Sequence, residues 1–77
     1  MKELLEVIVL PLVDNPRDVE ITETEKEDGE ILLSLKVNSS DMGKVIGRQG
    51  RIAKAIRTVM KAAANKDGKK VAVEIVE

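Results

Sequence analysis

The chain contains no cysteine, no histidine and no phenylalanine, tyrosine or tryptophan. Missing cysteines exclude a disulfide framework and a thiolate nucleophile, and with the histidines gone the usual zinc sites are excluded too. No side chain is left that ordinarily titrates near neutral pH. Without aromatic rings, no planar ligand can be held by ring stacking. Ser34, Ser39 and Ser40 have no histidine partner, and the carboxylates form no pattern suggesting a paired acid and base. No enzyme, metal site or cofactor is expected.

Long apolar runs are absent as well. The stretch LLEVIVLPLV is broken by Glu6 and Pro11, reaches about half the length of a membrane span, and is followed by no small-residue cleavage site. The expectation is a soluble, cytoplasmic protein with no membrane insertion. Asn38-Ser39-Ser40 matches a glycosylation acceptor by letter, but in an unexported chain it reads better as a helix-capping turn. A length of 77 residues leaves room for one domain, residues 1–77, burying only about 60% of the surface its unfolded chain exposes.

The net charge of −1 conceals a split. Residues 1–38 carry ten acids against four bases, whereas residues 39–77 carry nine bases against four acids. Between Met42 and Lys70 the only acid is Asp67. Such an asymmetry points to an anionic partner without naming the anion.

Leu4, Leu5, Ile8 and Leu12 lie at helical spacing within residues 2–13, with Pro11 expected to kink or shorten the last turn. From Val19 the rhythm becomes period two, passes Asp28-Gly29, and continues through Ile31, Leu33, Leu35 and Val37, predicting a β-hairpin with one wet face. A two-residue loop would set Ile21 opposite Lys36, so a loop of odd length that places Ile21 beside Val37 is expected. Ser39 or Ser40 should cap a short helix reaching about Ile46, with Asp41 in its first turn. After Gly50 a second helix should run to about Ala64 and bury Ile52, Ile56, Val59, Met60 and Ala63. The turn at 65–68 leads into a strand over Lys69 to Val76, expected parallel to the second strand. The order is α-β-β-α-α-β.

Gly47 and Gly50, with Arg48 and Gln49 between them, stand between those two helices. A Gly-x-x-Gly alone is common, but here the loop amides and the positive end of the following helix can face one point. Glycines let a phosphodiester approach the backbone closely. Arg48, Arg51 and Lys54 surround that point, and Val45, Ile46 and Ile52 can supply an apolar wall.

This combination resembles the KH domain, whose GXXG loop clamps about four nucleotides. VIGRQGRIAKAI is similar to the Ile-Gly-x-x-Gly-x-x-Ile signature, and the element order resembles the type II arrangement. Together with the opening LLEVIVLPLVDNPRDVEI and the closing KKVAVEIVE, the whole chain resembles the small bacterial single-KH proteins of the KhpA family. The resemblance implies an α+β fold with a three-stranded mixed sheet and the helices packed on one face. It implies a cytoplasmic protein and RNA chaperone that binds single-stranded RNA, as a homodimer or as a heterodimer with a larger KhpB/Jag-type KH protein, with links to cell-wall biogenesis and control of cell shape and length. The site it implies comprises Lys44, Ile46, Gly47, Arg48, Gln49, Gly50, Arg51, Ile52 and Lys54.

Simpler readings stand beside this one. The glycines could form only a tight interhelical turn. A Walker A loop fails on its letters, since Gly43 and Gly47 are too close and no Gly-Lys-Ser/Thr follows. Arg57 and Lys61 continue the stripe of Arg51 and Lys54, but could be a solvated helix face. The acidic hairpin reads as the wet face of an edge that charge protects from aggregation. The rival for the whole chain is a protein-interaction module of the same fold whose RNA binding is carried by a partner.

Overall fold

Alternation builds the sheet. In the computed structural model, which describes residues 1–76, strand β2 (Ile31–Lys36) buries Ile31, Leu33 and Leu35 and turns Leu32, Ser34 and Lys36 away. Strand β1 (Glu20–Glu25) pairs with it antiparallel, and β3 (Val71–Val76) pairs with its other side in parallel, giving the order β1-β2-β3. The hairpin loop is odd, as expected. Glu27, Asp28 and Gly29 lie between Lys26 and Glu30, with Gly29 at φ 87°. That geometry is a three-residue turn closing on a left-handed glycine. Ile21 stands opposite Leu35 rather than Val37, two residues from the expected register. Both registers put Ile21 on the apolar face, so the side-chain pattern could not choose between them.

Helix α1 (Lys2–Val9) ends where Pro11 forces a 3-10 turn over Leu10–Leu12. Leu5, Val9 and Val13 enter the core, Leu4 and Ile8 are half-buried against it, and Leu12 is exposed. A 3-10 turn at Ser39–Asp41 precedes the short α2 (Met42–Ile46). The side-chain cap lies on that 3-10 turn and is Asn38, not Ser39 or Ser40: the Asn38 carboxamide accepts the Ser40 N–H at 2.9 Å, while Asp41, at the N-cap of α2, makes no capping hydrogen bond. Helix α3 (Arg51–Lys66) runs two residues past Ala64 and buries Ala53, Ile56, Met60 and Ala64. Val59 is 47% exposed and Ala63 only half-buried, so the buried stripe is narrower and rotated from the one expected. Small Ala53 and Ala64 let the helix sit close to its neighbours. The helix closes with Lys69 N–H on the Ala64 carbonyl and Gly68 N–H on that of Asn65, which satisfies its last carbonyls and delays β3 to Val71.

Leu5 and Val9 of α1, Val45 of α2 and Ile56, Met60 and Ala64 of α3 join the odd-numbered sheet residues in one cluster, so all three helices pack on one face. Leu5, Leu33, Leu35 and Met60 are fully buried, each contributing about 1.5–3 kcal/mol. The opposite sheet face, with Thr22, Thr24, Ser34 and Ala72, has none of the described helices over it. No described helix is long and apolar enough to cross a membrane.

Candidate nucleic-acid interface

The two glycines between α2 and α3 serve different ends. Gly47 has φ 75° and ψ 176°, a region essentially closed to residues with a Cβ. A Cβ there would lie 2.6 Å from Ile52 Cγ1 and 2.9 Å from its Cδ1. The first glycine thus makes room for Ile52 to fold back under the loop. Gly50, at φ 73° and ψ 15°, would meet nothing within 4 Å. Its surroundings are open, so the backbone there is approachable from outside.

Between them Gln49 adopts φ 57° and ψ 25°, left-handed without being glycine. This costs roughly 1–2 kcal/mol, and strain of this kind clusters at binding and switch segments. Gly47 N–H reaches the Gly43 carbonyl at 2.9 Å and Gly50 N–H the Gly47 carbonyl at 3.2 Å. The N–H groups of Arg48 and Gln49 meet no acceptor among the described residues. Consecutive unpaired amides in a tight loop are suited to an anion's oxygens.

Cations border the loop. Arg48, Arg51 and Lys54 are exposed and have no carboxylate within 4 Å among the described residues, although Arg51 Nη2 donates to Gln49 Oε1 at 3.3 Å. Ile46 and Ile52 are half-buried, packed on the core while keeping part of their surface outside. Val45, expected beside them as wall, is fully buried and belongs to the core.

Lys44 differs from the other bases. Its ammonium is paired with Asp14 and lies 3.5 Å from Asp41, and the hydrogen bond to Asp14 raises its pKa above the ordinary lysine value against the opposing effect of burial. Asp41 itself is fully buried and accepts hydrogen bonds from Asp14 N–H (3.1 Å), Asn15 N–H (3.0 Å) and Asn15 Nδ2 (3.1 Å). Burial alone pushes its carboxyl up, but these donors and Lys44 outweigh it and hold the pKa below the usual carboxylate value. Asp41 therefore ties the start of α2 to the segment after α1. The sequence offered one signal: Asp41 is the single acid between Asn38 and Lys66.

The stripe on α3 also divides. Arg57 Nε donates to the Val73 carbonyl at 3.1 Å. Ile31 N–H takes the Lys70 carbonyl and Val37 N–H that of Val76, so even-numbered carbonyls of β3 face β2 and the Val73 carbonyl lies on the outer edge. Arg57 thus holds the middle of α3 against the open edge of β3, and the glycine loop, Arg57 and that edge frame one groove.

The model of the KhpA/KhpB KH domain matches residues 2–75. The chain belongs to this family. It is 63% identical over 76 residues to the RNA-binding protein KhpA of Clostridium perfringens, covering 99% of this chain and all of the relative. Identity to RNA-binding protein KhpA is 53% over 77 residues for Listeria monocytogenes, covering both chains fully, and 44% over 77 residues for Aquifex aeolicus, covering 100% of this chain and 96% of the relative. The observed α+β fold is that of a KH domain, and the KhpA family is non-enzymatic. On this KH frame the structure brings Ile46, Gly47, Arg48, Gln49, Gly50, Arg51, Ile52 and Lys54 together around the loop, while Lys44 turns to Asp14 and Asp41.

Proposed function

We propose that residues 1–77 work as a single KH domain that binds single-stranded RNA at the Gly47–Gly50 loop. The observation that carries this reading is the pair of amides at Arg48 and Gln49 that meet no acceptor among the described residues, set beside three cations with no carboxylate partner among them and the half-buried Ile46 and Ile52. Full-length relatives named as RNA-binding proteins support it. The phosphodiester is captured by the loop backbone, Arg48, Arg51 and Lys54 neutralise it, and bases lie against Ile46 and Ile52. Lys44 acts on this site through its tie to Asp41 and Asp14.

Capture of the backbone without aromatic stacking gives modest, weakly selective binding, which suits an RNA chaperone. A second copy or a KhpB/Jag-type KH protein, as the family resemblance implies, raises the effective concentration. In this reading the protein acts in the cytoplasm, in post-transcriptional control of the cell envelope and cell length, as the family resemblance implies. A second reading, a protein-interaction module, draws on the exposed apolar residues Val7, Leu10, Leu12 and Val59.

The test is fluorescence anisotropy with a short unstructured RNA and the matching DNA, at two salt concentrations, for the wild type and Arg48→Asp/Gln49→Asp. Circular dichroism first establishes that both fold. Tenfold or greater loss in the folded variant is expected, with a wild-type log–log salt slope of about −2 for three neutralised phosphates. Equal binding by both, or none by either, transfers the function to the protein-interaction reading.

A further inference from the structure

At the end of α3 away from the glycine loop, Lys61 and Asn65 of the helix, Lys70 and Val71 at the start of β3, and Glu30 line a cleft of about 200 Å³. Neither lysine has a carboxylate within 4 Å among the described residues. Glu30 pairs with Lys26 at 3.1 Å and Asp28 Oδ1 accepts the Glu30 N–H at 2.9 Å, so these two acids are engaged within the hairpin. The cleft thus presents two ammonium groups and an amide with few internal claims on them.

Its position matters as much as its charge. Arg57 bonds the outer edge of β3 midway between the loop and the cleft, so the groove framed by α3 and that edge leads from one to the other. Ten residues of α3 separate Arg51 from Lys61, about 15 Å of helix rise. At the roughly 3.4 Å spacing of stacked nucleotides, that distance is about four nucleotides, the length a KH loop and groove hold.

We propose that this cleft is a second phosphate site for the same RNA strand, taking the sugar-phosphate that emerges from the groove beyond the four nucleotides held at the loop. Lys61 and Lys70 act as point charges on the phosphate, and Asn65 donates to it or to the ribose hydroxyl. The inference rests on the loop reading, because the loop sets where the strand begins.

The experiment titrates unstructured RNAs of four, eight and twelve nucleotides with the wild type, Lys61→Ala/Lys70→Ala, Arg48→Asp/Gln49→Asp, and a control with the same charge change, Lys2→Ala/Lys36→Ala. The wild type should gain about tenfold in affinity from four to eight nucleotides. Lys61→Ala/Lys70→Ala should bind the four-mer as the wild type does and lose most of that gain, with the eight-mer salt slope shallower by about 1.4. The control should keep the gain. An absent gain in the wild type, an equal loss at every length, or an equal loss in the control overturns the second site. If Arg48→Asp/Gln49→Asp loses the four-mer while Lys61→Ala/Lys70→Ala behaves as wild type throughout, only this inference falls. If the loop variant binds every length as the wild type does, the loop reading falls with it.

Discussion

Replacing Gly47 with alanine tests whether the first glycine of the loop serves internal packing. The backbone at φ 75° and ψ 176° lies where residues other than glycine rarely go, at a cost of order 1–3 kcal/mol. The new methyl would also meet Ile52 Cγ1 at 2.6 Å and Cδ1 at 2.9 Å, and forced overpacking adds roughly 1–3 kcal/mol. Gly50→Ala carries only the left-handed penalty of about 1–2 kcal/mol, since nothing lies within 4 Å of its would-be Cβ. A domain of this length has about 4–12 kcal/mol in all, so Gly47→Ala removes a large share. Urea unfolding followed by circular dichroism should place its midpoint well below that of Gly50→Ala, by about 1 M or more at a slope near 1–3 kcal/mol per M. In a double-mutant cycle, Ile52→Ala deletes Cγ1 and Cδ1 and leaves only the Cβ at 3.0 Å. Gly47→Ala should then cost about 1–2 kcal/mol less in that background. Equal midpoints for the two glycine variants, or strict additivity in the cycle, would refute the reasoning.

Two further outcomes follow from other parts of the site. Asp41 has a folded pKa below its ordinary 3.8, so its contribution is complete above that value and is lost as pH falls through the lower folded one. The wild-type urea midpoint should therefore drop between about pH 5 and pH 3, while Asp41→Asn, less stable at neutral pH, should show a shallower drop; parallel curves would exclude Asp41 as the source. Gln49 holds a left-handed conformation that glycine adopts freely, so Gln49→Gly should raise the melting temperature by about 2–4 °C, the strain relieved exceeding glycine's entropic cost by about 0.5 kcal/mol. A clear fall in melting temperature would show that the loop is not strained there.

What sequence spacing revealed, and what it did not, divides along the range of the interactions concerned. Alternation in ILLSLKV, the helical run after Gly50 and the odd hairpin loop depend on neighbours within a turn or a hairpin, and all are found. The two glycines signalled an unusual backbone because only glycine adopts some of those angles cheaply, and both have positive φ. The hairpin register was illegible because shifting a strand by two residues leaves every side chain on the same face. The rotated face of α3 depended on what lies opposite: Ala53 and Ala64 are buried by close approach, while the larger Val59 faces outward.

The sequence by itself determined the α-β-β-α-α-β order, the concentration of bases after residue 42 and the glycine-flanked loop between two helices, because these are properties of covalently near residues. Only the tertiary structure decided what each similar-looking residue does. Lys44 reads like Arg48 or Lys54, yet an acid thirty residues earlier pairs with it. Asp41 reads as a helix-start acid, yet Asp14 and Asn15 surround it with donors. Gly47 and Gly50 read alike, yet Ile52 packs where one would carry a Cβ and open space lies beside the other. Arg57 reads as one more base of a helical stripe, yet it bonds the edge of a strand sixteen residues away. A side chain's chemistry is set by its composition, but its role is set by the partners that folding brings within hydrogen-bond reach.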